Sequence, residues 1–384
     1  MGGFENRAYD EEPIDETLDE IETPSLVIDL DILERNLRRM ALRMRKLKVG
    51  MRPHFKTHKS FEIAEIQSEL QAVGFTVATL AEARALLDDG YRDLTWAFPL
   101  ILSKAPRLDG YLDYGTVRLV VDSPEAIAAL EEAAREEPNL PFHAWLKVDC
   151  GYHRAGVDPE SPLAVDLARR LADSEHLHFD GILSHSGHAY HVRGRSELLR
   201  VAEEERQVMV GCAERLRGSG IEVPGVSIGS TPAMSVVENL EGVTEVRPGN
   251  YVFYDYTQCE IGSCEIGDCA LTVLSSVVSS QPGARHSVID AGALSLSKDL
   301  GPEWVEPCFG RIFGDYEAKE LDPELKVASV SQEHGIVERP LPVGSRLRIL
   351  PNHSCLTIPG FDRYVVVRGE RVVDYGEIEN QRND

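Results

Sequence analysis

The stretch FTVATLAEARALLDDGYRDLTWAF, residues 75–98, holds the fold in miniature. FTVAT (75–79) is short, apolar and β-branched, as a buried strand is. LAEARALLDDG (80–90) is a helical stretch that ends in Gly, and LTWAF (94–98) returns to strand character. The alternation continues in both directions. Downstream, strands are predicted at VRLVV (117–121), FHAWLKV (142–148), LHFDGILS (177–184), GVSIG (225–229) and TEV (244–246). Helical stretches such as SPEAIAALEEAAREE, SPLAVDLARRLADSE and SELLRVAEEERQVMVGCAERLRG separate most of them. The links around position 105 and after position 231 read as weaker helices. Upstream, DILERNLRRMALRMRK (31–46) opens a run with apolar groups at 32, 33, 37, 40, 44 and 47, which is helical spacing. MRPHFKTHK (51–59) then reads as the end of the first strand. Eight strand–helix units between residues 31 and 255 predict a parallel (β/α)8, or TIM, barrel with its helices outside.

After about residue 256 the pattern changes. CALTVLSSVVSS, HSVIDAG, ELKVASVSQ, SRLRILP, RYVVVRG and RVVDYG are short β runs broken by Gly, Pro and Asn. They predict an antiparallel β domain over residues 256–384, joined by residues 1–30, in which TPSLVID (23–29) has no barrel slot and supplies an extra strand. The acidic first 20 residues are expected to be a flexible tail.

The chain has 384 residues and a net charge of −24, which argues against nucleic acid and anionic membranes as partners. No apolar run approaches the ~20 residues of a membrane span. The N-terminus lacks a basic stretch followed by an apolar one, so neither a secretory signal nor a transit peptide is expected. Of the 40 basic residues nine are Lys and 31 are Arg; a Lys-poor acidic surface suits high salt, and genomic base composition accounts for the Arg bias equally well. Seven Cys without a CxxC pair point to a reducing, cytoplasmic setting. Cys259, Cys264 and Cys269, five apart, read as loop and core thiols.

Barrel active sites form at the C-terminal ends of the strands. SIGSTPAM (227–234) leaves its strand through Gly and offers Ser230 and Thr231, and RPGNY (247–251) is a second Gly-containing turn. Both fall where a barrel binds phosphate, after its seventh and eighth strands. Lys56, at the end of the first strand, suits a Schiff-base amine, with Arg52, His54 and His58 as neighbouring cations that lower its pKa. Far downstream, PNHSC (351–355) sets His353 and Cys355 two apart. On an extended segment both point the same way, as a two-ligand contribution to a zinc site requires.

Together RPHFKTHK, KVDCGYHRAGV (147–157), SHSGHAY (184–190), SIGSTP, RPGNYVFYD, DAGALSLSKD (290–299), SQEHG (331–335) and PNHSC resemble the fold-type III pyridoxal 5'-phosphate (PLP) enzymes, which carry an alanine racemase-like barrel. More narrowly, they resemble the D-serine dehydratase and D-threonine aldolase family over nearly the whole chain. The resemblance implies a PLP-binding barrel followed by a β domain, in a homodimer whose sites are shared between copies. It implies Lys56 as the Schiff-base lysine. Ser230, Thr231, Gly249 and Asn250 would hold the phosphate, Tyr190 and His54 would lie beside the cofactor, and Arg154 near cofactor or substrate. His353 and Cys355 match the metal ligands.

Two reactions of β-hydroxy-D-amino acids follow from that resemblance. In β-elimination a 2-oxo acid and ammonia form; in retro-aldol cleavage, glycine and an aldehyde. The dehydratases resembled here use His-x-Cys, where thiolate favours zinc, whereas well-studied aldolases use His-x-Asp with manganese or magnesium. Cys355 favours zinc and dehydration, with the aldolase as the alternative. An alanine racemase would share barrel and cofactor but has no use for PNHSC.

Overall fold

The computed structural model describes residues 14–379. They form two compact units. One comprises Ala41–Lys56 and Gln67–Gly249. The other takes the described chain up to Met40, Thr57–Ile66 and the described chain from Asn250 on.

β1 (Ser25–Asp29) belongs to the second unit. The first unit carries β2 (Gly50–Met51), β3 (Phe75–Val77), β4 (Asp93–Pro99), β5 (Thr116–Val121), β6 (Phe142–Lys147), β7 (Leu177–Leu183), β8 (Gly225–Ile228) and β9 (Glu245–Val246). All pair in parallel, in the order β2-β9-β8-β7-β6-β5-β4-β3. The two ends meet: His54 bridges Thr76, and Thr76 N–H donates to Pro53 O at 2.9 Å, so the sheet closes into the expected barrel. Strand ends such as Ala144–Lys147 and Ile182–Leu183 are buried without alternation, as strands covered on both faces must be. The helices between them start on side-chain caps: Thr79, Ser123 and Ser161 accept from the N–H groups of Glu82, Ala126 and Ala164.

The first strand differs from its expected form. Only Gly50 and Met51 are strand, and Lys56 lies in a 3-10 turn, Phe55–Thr57. Arg52 is buried in an ion-pair network with Glu245 (2.9 Å) and Asp93, and so is not a cation set aside for the lysine. Where β6 and β7 slip register, Gly181 has φ +121°, and a Cβ there would stand 2.0 Å from Gly225 O. Only Gly permits that approach.

The second unit carries β1 with β10 (Leu271–Ser279), β11 (Ser287–Ile289), β12 (Arg311–Asp315), β13 (Glu320–Val330), β14 (Gly335–Val337), β15 (Arg346–Leu350), β16 (Arg363–Arg368) and β17 (Arg371–Glu377). Their order is β11-β14-β13-β12-β15-β10-β1-β16-β17, and β11 also pairs with β10. Six strands thus form a small closed barrel from which β1, β16 and β17 extend. β1 takes the extra place expected for TPSLVID, antiparallel to β10 and parallel to β16. β12 and β14 were not legible in the sequence: each is short, and β12 ends in Gly-Asp.

Residues 1–13 of the expected acidic tail lie outside the described residues. Residues 14–20 are docked rather than loose: Leu18 N–H donates to Glu370 O at 2.9 Å, Val372 N–H donates to Glu16 O at 3.0 Å, and the buried Leu18 packs in a cluster with Val365, Val367 and Val372. Among the described residues no helix is long and apolar enough to cross a membrane.

Candidate active site

The two groups of candidate residues fall in different units. Lys56, His54, Arg154, Tyr190, Ser230, Thr231 and Gly249 belong to the barrel; Asn250, His353 and Cys355 belong to the sheet unit.

At the barrel's strand ends the backbone already ties the phosphate-loop candidates together. Gly249 N–H donates to Thr231 Oγ1 at 3.1 Å, linking the turns after β8 and β9. Ser230 Oγ stands 3.2 Å from Ser186 Oγ, at the turn after β7. Gly229 N–H and Ser184 Oγ both donate to Glu205 Oε1, at 3.2 and 2.8 Å. Glu205 is fully buried on the helix Arg195–Gly218, where it pins the ends of two strands. A carboxylate on an otherwise apolar helix face was its signal in the sequence.

Around these turns gather cations. The imidazole of His185 is held well below its usual pKa by burial and then by Lys56, Arg154, Lys147 and Arg247, so it is neutral at pH 7. Arg247 is buried, bonded to Ser227 Oγ and Ser184 O. The guanidinium of Arg154 lies 5.0 Å over the ring of Tyr152, which meets His185 edge-on at 6.2 Å. Gly187 lets that ring in: a Cβ there would stand 2.2 Å from it. Lys56 is exposed, and its N–H donates to His54 Nδ1 at 3.4 Å. Tyr190 sits on the turn Gly187–His191 after β7, half-buried.

Lys147, which ends β6, carries no role in the sequence reading. Burial, with Arg247 and Arg154 beside it, pushes its pKa down to about 8. Below that pH it is cationic and favours an anion; above it the charge is lost. The apo protein is therefore expected to bind inorganic phosphate more weakly as pH rises through about 8, and bound phosphate draws a proton onto the amine. Calorimetric titration with phosphate on both sides of that pH checks this; an affinity that does not fall would contradict it.

In the sheet unit His353 is extended and Cys355 lies in the helical turn Ser354–Thr357. The pair is therefore not on one extended segment, as expected, but on a strand-to-helix corner. His353 Nδ1 bonds Asp299 Oδ2 at 3.2 Å, which makes Nδ1 the donor and leaves Nε2 as the nitrogen that could hold a metal. Burial opposes a charge on His353, but Asp299, Cys355 and Asp255 outweigh it and raise its pKa well above the usual value. A corner whose acidic side chains favour an extra positive charge on His353 suits a divalent cation. Cys355 Sγ meets Thr57 Oγ1 at 3.3 Å and Asn250 Nδ2 at 3.7 Å, and hydrogen-bonds the His353 imidazole. Asn250 Nδ2 also donates to Asp255 Oδ2 at 2.7 Å and Ser354 Oγ at 2.8 Å, so its side chain serves this corner, and its backbone N–H is what it can offer a phosphate. Asp299 ends the segment DAGALSLSKD, whose sequence alone assigns it no role. Asp299→Ala is expected to weaken metal binding about 10–100-fold, read by competition with a chelator.

Loops tied together at the strand ends of a parallel barrel, with cations beside them, and a His–Cys corner in an antiparallel unit are the arrangement expected of a fold-type III enzyme. The profile of the alanine racemase N-terminal domain matches residues 28–257, and that of a serine dehydratase domain matches residues 270–367. The chain belongs to this PLP-dependent, alanine racemase-like family and carries a serine dehydratase domain. It is 36% identical to D-threo-3-hydroxyaspartate dehydratase of Delftia sp. (strain HT23), covering 94% of this chain and 98% of that one. The solved structure of that dehydratase superposes with a TM-score of 0.89 at 35% identity, over 94% of this chain and 99% of the other. A metal-free form of its cysteine-to-alanine variant is also known. D-serine dehydratase of Dictyostelium discoideum is 33% identical over 93% of this chain and 96% of that one. D-threonine aldolase of an Arthrobacter species is 29% identical over 93% and 92%.

Proposed function

We propose that the protein is a PLP- and divalent-metal-dependent lyase of β-hydroxy-D-amino acids, acting by β-elimination to give a 2-oxo acid and ammonia. The observation that carries the reading is the His353–Cys355 corner with Asp299 on Nδ1. A racemase needs no such group, and a thiolate ligand favours zinc over manganese or magnesium.

Bound PLP supplies an electron sink for the charge released at Cα, and a bound divalent ion supplies a Lewis acid for the β-hydroxyl. The chain's own residues do the rest. Ser230, Thr231, Gly249 and the Asn250 N–H would hold the phosphate. His185, neutral, would add no charge beside the cofactor. Lys147 and Arg154 would supply positive charge for phosphate or substrate carboxylate, and His54 and Tyr190 would lie beside the cofactor. Lys56 Nζ would take the α-proton. His353 Nε2 and Cys355 Sγ would hold the ion; the β-hydroxyl would leave with a proton as water, and hydrolysis of the resulting enamine would give the 2-oxo acid and ammonia.

The alternative is retro-aldol cleavage, in which the β-hydroxyl would lose its proton and the Cα–Cβ bond would break to give glycine and an aldehyde; the similarity to a D-threonine aldolase favours it. Product analysis decides. D-serine should give pyruvate and ammonia, and 3-hydroxy-D-aspartate oxaloacetate and ammonia, both suppressed by chelator. Glycine plus acetaldehyde from D-threonine, with no pyruvate from D-serine, would establish the aldolase instead. The same reading takes zinc as the resident ion, a homodimer that shares its sites between copies as the working form, and the cytoplasm as the compartment. Light scattering that returned the mass of one chain would remove the dimer.

A further inference from the structure

Three thiols in the sheet unit have no part in this chemistry. Cys259 lies in the helix Tyr256–Ile261, Cys264 in the turn that follows, and Cys269 two residues before β10. Five residues apart in sequence, they converge in space. Cys259 Sγ is 3.5 Å from Cys264 Sγ and 3.4 Å from Cys269 Sγ, and all three lie within 4.8 Å of one another. We propose that Cys259, Cys264 and Cys269 form a second, structural metal site for a thiophilic divalent ion of the zinc class, with solvent water as the fourth ligand.

The distances favour an ion over a disulfide. Tetrahedral zinc with Zn–S bonds of about 2.3 Å sets its thiolates about 3.8 Å apart. The observed triangle needs shifts of only tenths of an ångström to about one ångström to meet that, and all three sulfurs can share one centre. A disulfide needs about 2.05 Å, uses two sulfurs and strands the third; all seven cysteines are free here.

The loop is built to hold this shape. Gly262 turns the chain in the left-handed region, φ 89°, and its N–H donates to Cys259 O. Glu265 and Asp268 form a reciprocal capping box around the short turn Ile266–Asp268. Asp268 is anchored from outside, its main-chain O by Asn36 Nδ2 at 2.7 Å and its carboxylate by Arg39 at 2.9 Å. Asp255 caps the helix that carries Cys259, accepting from Gln258 N–H at 2.9 Å.

Binding Zn2+ would displace the thiol protons to solvent, leaving three thiolates on a divalent ion and one net negative charge. The ion would join helix, turn and the approach to β10 at one point. Cys259 is half-buried, the side from which the water ligand would come.

The test counts zinc per chain in full-length protein, loaded with zinc under reducing conditions and desalted. The H353A/C355A variant, which lacks the other candidate site, should keep one zinc, and adding Cys264→Ser should remove it. In cobalt-loaded H353A/C355A a thiolate-to-cobalt charge-transfer band should be present, and Cys264→Ser should abolish it. Should the double variant fail to fold, Cys264→Ser alone should lose one of two zinc ions from the otherwise wild-type chain. A folded H353A/C355A variant that retains no zinc, or a zinc content unchanged by Cys264→Ser, would overturn the site. So would a disulfide among these cysteines in freshly isolated protein. The proposal does not rest on the lyase reading: that can fail in product analysis while this zinc remains.

Discussion

Lys56→Ala lowers turnover of a β-hydroxy-D-amino acid by about 10⁴-fold or more, and protein mixed with PLP no longer shows the near-visible absorption of a cofactor joined to an amine. Two amines compete for this role. Lys147 is buried with its pKa near 8, which by chemistry alone suits a nucleophile. Lys56 is exposed, on the turn Phe55–Thr57, so an incoming amino acid can reach it and it can swing away once displaced. Lys147 is walled by Arg247 and Arg154 and ends a strand. Its charge serves to hold an anion. Lys147→Met should therefore weaken cofactor binding while keeping the absorption at saturating PLP. If the band survives in Lys56→Ala and vanishes in Lys147→Met, the assignment is reversed.

Cys355→Ala should strip the chain of its catalytic metal and lower elimination from D-serine by on the order of 10³-fold, about 4 kcal/mol of lost stabilisation. PLP binding should be largely kept: Asn250 Nδ2 loses its 3.7 Å contact with Cys355 Sγ but stays bonded to Asp255 and Ser354, and the bonds Gly249–Thr231 and Ser230–Ser186 do not involve Cys355. The loss follows from ligand arithmetic. With Cys355 gone, His353 Nε2 is the one remaining ligand of the pair, held by Asp299 but without a thiolate beside it. Cys355→Asp separates charge from softness: it should restore activity with manganese better than with zinc. Full activity of Cys355→Ala in the presence of chelator would rule out the metal role. Metal analysis here must distinguish this ion from the one proposed at Cys259, which Cys355→Ala leaves in place.

Much of the architecture was legible because buried parallel strands announce themselves. LHFDGILS and VRLVV lie within a residue or so of β7 and β5, and the Ser and Thr caps mark where helices begin. What escaped was set by contacts distant in sequence. The first strand looked longer than β2 because Arg52, apparently a site cation, is drawn into the barrel wall by Glu245 and Asp93. Asn250 reads as a phosphate-turn residue, yet its side chain is claimed by Asp255 and Ser354. Lys147 and Glu205 are charges whose burial depends on partners that periodicity does not reveal. The spacing of Cys259, Cys264 and Cys269 says nothing until Gly262 folds the chain back.

The closure of the barrel has a dynamic consequence. β6 and β7 are paired at six residues, whereas β2 meets β3 through the single bridge His54–Thr76. Local opening costs least where fewest ladder bonds must break. Amide protons at Val73 and Thr76, which donate across this seam to Met51 and Pro53, should therefore exchange with deuterium well before those of β6 and β7. Lys56 lies just two residues past that bridge. The barrel is thus expected to open first beside the lysine proposed to carry the cofactor, with the rest of the wall staying shut.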